Sequence, residues 1–157
     1  LINAAGSGLN RLTQGGNIDT EPAFSPDGQT IFFTSDRGGS PQIYRVSVNG
    51  GDPRRVTFGG SYNVSPAISP DGKLLAYISR EEGRFRVSLL DLASGQSRVL
   101  TDTARDESPA FAPNGQSVLY ATVQGGRGIL CPVSLDGRTR ARLSESGVDA
   151  REPAWGP

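Results

Sequence analysis

Apolar and polar residues alternate along this chain in short runs, and each run is closed by a phrase built from Gly, Pro, Asn or Asp. Side chains of a strand point alternately to its two faces, so a spacing of two predicts half-buried β-strands. The runs fall at residues 30–35, 43–48, 74–78, 85–89, 118–122 and 129–134. They are rich in the β-branched and aromatic residues that suit a pleated surface. No stretch carries the apolar spacing of an amphipathic helix. Two sets of tight turns are written between the runs. Pro26-Asp27-Gly28, Pro70-Asp71-Gly72 and Pro113-Asn114-Gly115 form one set, and Asn49-Gly50-Gly51, Ser94-Gly95 and Asp136-Gly137 the other. Proline presets φ, the Asp or Asn side chain caps the turn, and glycine accepts a positive φ.

The runs belong to a repeat. Pro22-Ala23-Phe24-Ser25 recurs as Pro66-Ala67-Ile68-Ser69, Pro109-Ala110-Phe111-Ala112 and Pro153-Ala154-Trp155-Gly156, at a spacing of 43 or 44 residues. A period of that size with strands inside each unit predicts an all-β β-propeller of four-stranded antiparallel blades. Each blade reads as strands A to D, with strand D short and polar (residues 11–13, 54–57, 98–101 and 142–144). Three full repeats are expected at 15–57, 58–101 and 102–144. Two partial ones flank them: strands C and D at 1–14, and the start of a last blade, an A strand, at 145–157. A closed propeller needs about four to eight blades. The expected state is therefore part of a larger ring, probed against the alternative of several copies or chains assembling through open edges.

Composition narrows the chemistry. The chain has 157 residues, with 16 Lys and Arg against 16 Asp and Glu. Zero net charge gives no electrostatic case for nucleic acid or an anionic membrane. Histidine is absent, which removes Ser-His-Asp and Cys-His catalysis and the His-based metal sites. The single cysteine, Cys131, cannot form an internal disulfide, and its apolar neighbours predict a buried, inert thiol. No window is long and apolar enough to span a bilayer as a helix.

The phrases Glu21-Pro22-Ala23-Phe24-Ser25-Pro26-Asp27-Gly28 and Ser65-Pro66-Ala67-Ile68-Ser69-Pro70-Asp71-Gly72, with Ser35-Asp36-Arg37 and Gln42-Ile43-Tyr44 after the first, resemble the repeat of TolB-type propellers. Asn10-Arg11-Leu12-Thr13, Asp91-Leu92-Ala93-Ser94-Gly95 and the closing Glu152-Pro153-Ala154-Trp155-Gly156-Pro157 extend the resemblance over essentially the whole chain. It looks like the C-terminal part of that family, the last three and a half blades of a six-bladed ring. The resemblance implies a non-enzymatic periplasmic protein of the Tol–Pal envelope system. It would bind the lipoprotein Pal and support outer-membrane integrity and constriction at cell division. Group A colicins would use the same face during import, and other Tol proteins would be met through segments outside this chain. The competing reading is a propeller that gates or accompanies a hydrolase or lyase, since the repeat also occurs there.

In a propeller the D–A loops and B–C turns emerge at one end. The A–B turns here are uniform, whereas the D–A loops (15–21, 59–65, 103–108 and 147–152) vary in chemistry, which marks them for recognition. They carry the candidate partner-binding residues Asp19, Thr20, Glu21, Tyr62, Asn63, Asp106, Glu107, Arg151 and Glu152. Thr20 and Glu21 match the family pattern best. No catalytic residue, metal ligand or cofactor is expected. An alternative use of this acidic ring is Ca²⁺ held at the channel mouth by Asp19, Glu21, Asp106, Glu107 and Glu152, because hard cations take oxygen ligands. Asp27, Asp71 and Asn114 are expected to cap turns, Asp36 and Arg37 to bond within a blade, and Trp155 to pack between blades like Phe24 and Phe111.

Overall fold

The second and third strands of each blade in the computed structural model follow from the alternating runs, most of them lengthened where a tight turn lets the hairpin continue, and the first strands contain the Pro-Ala phrases. The structure describes residues 1–145 and 147–155. The first blade contains β1 (Asp19–Phe24), β2 (Thr30–Ser35), β3 (Gln42–Ser47) and β4 (Arg54–Arg55). The second contains β5 (Asn63–Ile68), β6 (Leu74–Glu81), β7 (Arg84–Asp91) and β8 (Ser97–Val99). The third contains β9 (Glu107–Phe111), β10 (Ser117–Gln124) and β11 (Arg127–Ser134). Within each sheet the strands pair antiparallel and in chain order. The first strands of the blades lie side by side, β1 next to β5 and β5 next to β9, so they form the inner layer.

Three expected elements are corrected. Residues 1–14 form no strand; they fold back through Leu1 N to Asn10 O and Asn10 N to Leu1 O, both 2.8 Å. These residues have no inner strand of their own blade within the chain to pair with. Residues 142–144 form no fourth strand in the third blade. The stretch 140–143 keeps one bridge, Val133 to Arg140, and the bond Leu143 N to Leu130 O at 2.9 Å. The A strand expected after Glu152 is not formed at 152–155, and Gly156 and Pro157 lie outside the described residues.

The alternation sorts side chains to two faces of each blade. Ile31, Phe33, Tyr44 and Val46 turn to the side where residue Leu12 packs. Phe32 and Ile43 turn to the second blade and meet Leu75, Tyr77 and Leu90. Ala76, Ile78, Val87 and Leu89 turn to the third blade and meet Phe111, Val118 and Tyr120. The aromatic of the Pro-Ala phrase therefore packs against the preceding blade. Phe111 is buried there, Ile68 is half-buried, and Phe24, with no complete blade before it, is 56% exposed. Trp155 is 41% exposed, so the expected burial between blades is not attained.

Candidate functional site

The loop end of the blades is built by a bulge repeated in every A strand. Pairing slips between Thr20 and Ala23 and between Val64 and Ala67, and again opposite β9. The residue before each repeat proline takes a left-handed backbone: Glu21 (φ 53), Ser65 (φ 55), Ser108 (φ 51) and Glu152 (φ 51). That conformation is costly for a residue with a Cβ, and a following proline disfavours helical geometry further. Compensation is visible at the first site. Glu21 Oε2 accepts from Thr34 Oγ1 (2.7 Å) and from the Ser65 amide (3.0 Å), and Oε1 accepts from Ser65 Oγ (2.6 Å). Glu21 thus ties two blades together at equivalent positions of successive repeats.

A second repeated device anchors the loops. The hydroxyls of Thr57, Thr101 and Ser144 accept from the amides of Ile43, Val87 and Leu130 at 3.0, 3.0 and 3.2 Å. A polar side chain at the start of the next A strand or just before it completes two of these anchors. Asn63, 1% exposed, donates to Gln42 Oε1 (2.7 Å) and to Gly59 O (2.7 Å). Asp106, 3% exposed, accepts from Thr101 Oγ1, from Thr103 Oγ1 (2.8 Å) and from the Val87 amide (3.3 Å). Asp19 forms a two-pronged ion pair with Arg37, whose guanidinium lies over Phe33 and Tyr44. Partial burial pushes the Asp19 carboxyl up, but hydrogen bonds from Ser35 and Arg37 outweigh it and hold the group below its ordinary value of 3.8.

Between the second and third blades this end opens into a cavity of about 680 Å³. Val64, Ile78, Phe85 and Val123 give it apolar walls; Glu21, Arg105, Glu107 and Arg151 bring charge. Tyr62 stands edge-on to Phe85, with ring centroids 5.6 Å apart. Arg151 lies 3.7 Å from Glu107, both side chains about half exposed. The turn glycines Gly83 and Gly126 close the same rim, so D–A loops and B–C turns do meet at one end.

Of the nine candidate residues, Glu21, Tyr62, Asp106, Glu107 and Arg151 line this cavity. Thr20 and Glu152 are exposed but lie outside it. Asp19 and Asn63 serve the fold, as does the buried carboxylate of Asp106. Asp19, Thr20, Glu21, Asn63 and Glu107 also belong to A strands and not to loops. The acidic ring does not converge on a cation position: Asp19 is held by Arg37, Glu21 by Ser65, and Glu107 stands beside Arg151. Among the described residues no three acidic, His or Cys side chains group to hold a metal ion. Sequence reasoning missed Phe85 and Arg105. Phe85 reads as a strand residue, and Arg105 joins the rim because residues 104–106 bridge to Phe85 in parallel fashion.

The remaining polar motifs are structural, as their spacing implies. Asp27, Asp71 and Asp136 each accept from a serine two residues earlier and from the amide two residues later. Asn114 caps the equivalent turn through the Gln116 amide at 3.0 Å. Asp36 accepts from the Ile18 amide at 2.9 Å. Cys131 is buried, and burial pushes its thiol up and away from reactivity.

Comparison with known proteins agrees with this architecture. The family model for the TolB beta propeller domain matches residues 1–157. The Tol-Pal system protein TolB of Bordetella pertussis is 59% identical over 152 residues, which is 97% of this chain and 35% of that protein. The chain thus spans about a third of that relative's length. The crystal structure of TolB from Acinetobacter baumannii superposes with a TM-score of 0.86 at 48% identity, over 93% of this chain and 37% of that one. An oligogalacturonate lyase in complex with manganese aligns with a TM-score of 0.57 at 17% identity, over 78% of this chain and 38% of that one. That likeness reaches the fold alone. With a family match over its whole length and the blade repeat written in its residues, the chain belongs to the TolB β-propeller family.

Proposed function

We propose that this chain is part of a periplasmic, non-catalytic TolB propeller, six-bladed when complete, that binds the lipoprotein Pal through the loop end of its blades. In that role it would support outer-membrane integrity and constriction during division. The observation that carries the reading is the 680 Å³ cavity at the loop end, where Tyr62 and Phe85 sit beside Glu107 and Arg151. Aromatic anchors within a polar, charged rim are the make-up of protein recognition sites. Tyr62, Glu107 and Arg151 are the proposed contacts, joined by Phe85 and Arg105, with Thr20 and Glu152 at the margin. Glu21, Asp19, Asn63 and Asp106 act by holding the loops in place. The non-catalytic reading is supported by the absence of histidine and by a lone thiol that is buried.

The test is calorimetric titration of a soluble Pal domain into the full-length protein that carries this chain. Tyr62→Ala and Arg151→Glu should each weaken binding by about tenfold or more, in the range of interface hot spots, while thermal unfolding stays unchanged. Unaltered affinity in both variants would contradict the placement of the site, and no binding by the unmodified protein would contradict the partner.

A further inference from the structure

Two asparagines of this chain precede a glycine, Asn49 and Asn114, and the fold holds them differently. Each is the third residue of a tight turn. The Gly50 amide donates to Ser47 O at 2.9 Å, and the Gly115 amide to Ala112 O at 2.8 Å. Both asparagines are exposed and both glycines half-buried. Both glycines take a positive φ, 90° at Gly50 and 69° at Gly115. Backbone bonding and access to solvent are therefore matched, and only the side chains differ.

Asn114 is clamped. Its Oδ1 accepts from the Gln116 amide at 3.0 Å. Asp27, Asp71 and Asp136 accept the same bond from the amide two residues on, the usual way such a side chain closes its turn. The turn also rests on the preceding blade: a Cβ on Gly115 would fall 3.7 Å from Pro70 Cδ. Asn49 has neither restraint. Among the described residues its side chain forms no hydrogen bond; only its backbone amide donates, to Ser47 Oγ at 3.1 Å. In the matching turn of the third blade, Ser134 Oγ donates to the side chain of Asp136. A Cβ on Gly50 or Gly51 would meet nothing within 4 Å, so the space around this turn is open.

We propose that Asn49 is a site of spontaneous deamidation, and that the fold directs this modification to Asn49 and away from Asn114. Gly50 N, having lost its proton to hydroxide, bonds to Asn49 Cγ; glycine has no side chain to hinder the approach. The side-chain nitrogen takes a proton from water and leaves as ammonia, and a five-membered succinimide remains. Water then adds to one of its two carbonyl carbons and breaks the bond from that carbon to the ring nitrogen, which regains a proton. The product is an aspartyl or an isoaspartyl residue. One water is consumed and one ammonia released, with no change of oxidation state. The aspartyl form gives this turn the residue type of Asp136, with Ser47 in the place of Ser134. The isoaspartyl form carries an extra main-chain carbon into the hairpin between β3 and β4. As β4 is two residues long, its pairing with Tyr44 and Arg45 is the contact at risk.

The test ages the full-length protein that carries this chain at neutral pH. Peptide mapping by mass spectrometry reads the mass gain at each asparagine, and enzymatic methylation reads isoaspartate. Asn49 should convert about tenfold faster than Asn114, the factor expected where one further hydrogen bond must break before reaction. In urea-unfolded protein the two should convert at similar rates, because both precede glycine and the clamp is gone. Asn49→Gln should remove the signal from the peptide spanning residues 47–51, and its persistence would overturn the assignment. Native Asn114 converting as fast as Asn49 would also overturn it, as would an Asn49 that stays intact while the unfolded chain reacts. An equal preference for Asn49 in urea would assign the selectivity to neighbouring sequence and overturn the role given to the fold.

Discussion

At the scale of single residues, the carboxylates do two kinds of work, and pH separates them. Asp27, Asp71 and Asp136 are held below the ordinary 3.8, first by the serine hydroxyl two residues back and then by a backbone amide. A carboxyl lowered in the folded state favours folding at every pH above the unfolded value; that contribution is lost as pH falls through the lowered folded value. Thermal unfolding followed from neutrality to below pH 3.8 should therefore show a falling midpoint on the acid side. The combined Asp27→Asn, Asp71→Asn and Asp136→Asn protein should fold, since Asn114 already caps an equivalent turn, and its acid limb should be flatter. An unchanged acid limb would show that these turns contribute nothing to it. Glu21 makes a different prediction. Glu21→Ala and Ser65→Ala remove the two halves of one inter-blade contact, so in urea denaturation their costs of about 1 kcal/mol each should not add. Fully additive costs would contradict the latch.

At the scale of elements, the hairpins were legible and the strand ends were not. The alternating runs at 30–35 and 129–134 end where the sequence places them, because a turn phrase stops each one. The inner strands begin earlier than the Pro-Ala phrase implies. The bulge before each proline lets Asp19, Asn63 and Glu107 join the ladder, and no residue pattern announces a bulge. Half of the candidate site was visible as loop variety. What could not be read was direction: Asn63 and Asp106 have the polarity of contact residues yet point inward to satisfy buried amides and hydroxyls. Gly128 shows how tightly the last loop is set. A Cβ there would fall 2.6 Å from Ala150 O and 2.8 Å from Asp149 Oδ1. Gly128→Ala should therefore displace residues 149–151, cost about 1–3 kcal/mol and weaken the proposed Pal binding through Arg151. Retained affinity and stability would mean that the loop yields freely.

At the scale of the whole molecule, stability comes from the seams between blades, each closed by the alternate faces of two sheets. Leu75 is fully buried in the first seam, and Leu75→Ala should cost about 2–5 kcal/mol, depending on how far the seam collapses. The same logic leaves the first face of the array underfilled: Ile18 is 66% exposed and Phe24 56%. The repeat in the sequence made this foreseeable, since a face patterned for a neighbour needs one. On its own the chain should sediment, in a concentration-dependent manner, above its 16.5 kDa monomer mass, because exposed apolar faces and open sheet edges associate. A monodisperse monomer would contradict that expectation.

The proposed Pal site lies at the loop end of the blades. Hydrogen exchange of the full-length protein, with and without a soluble Pal domain, tests this placement directly. Protection at residues 60–65, 83–85, 103–107 and 147–151 is the predicted result. Protection confined to the opposite turns, around Gly28, Gly72, Gly95 and Gly137, would contradict it.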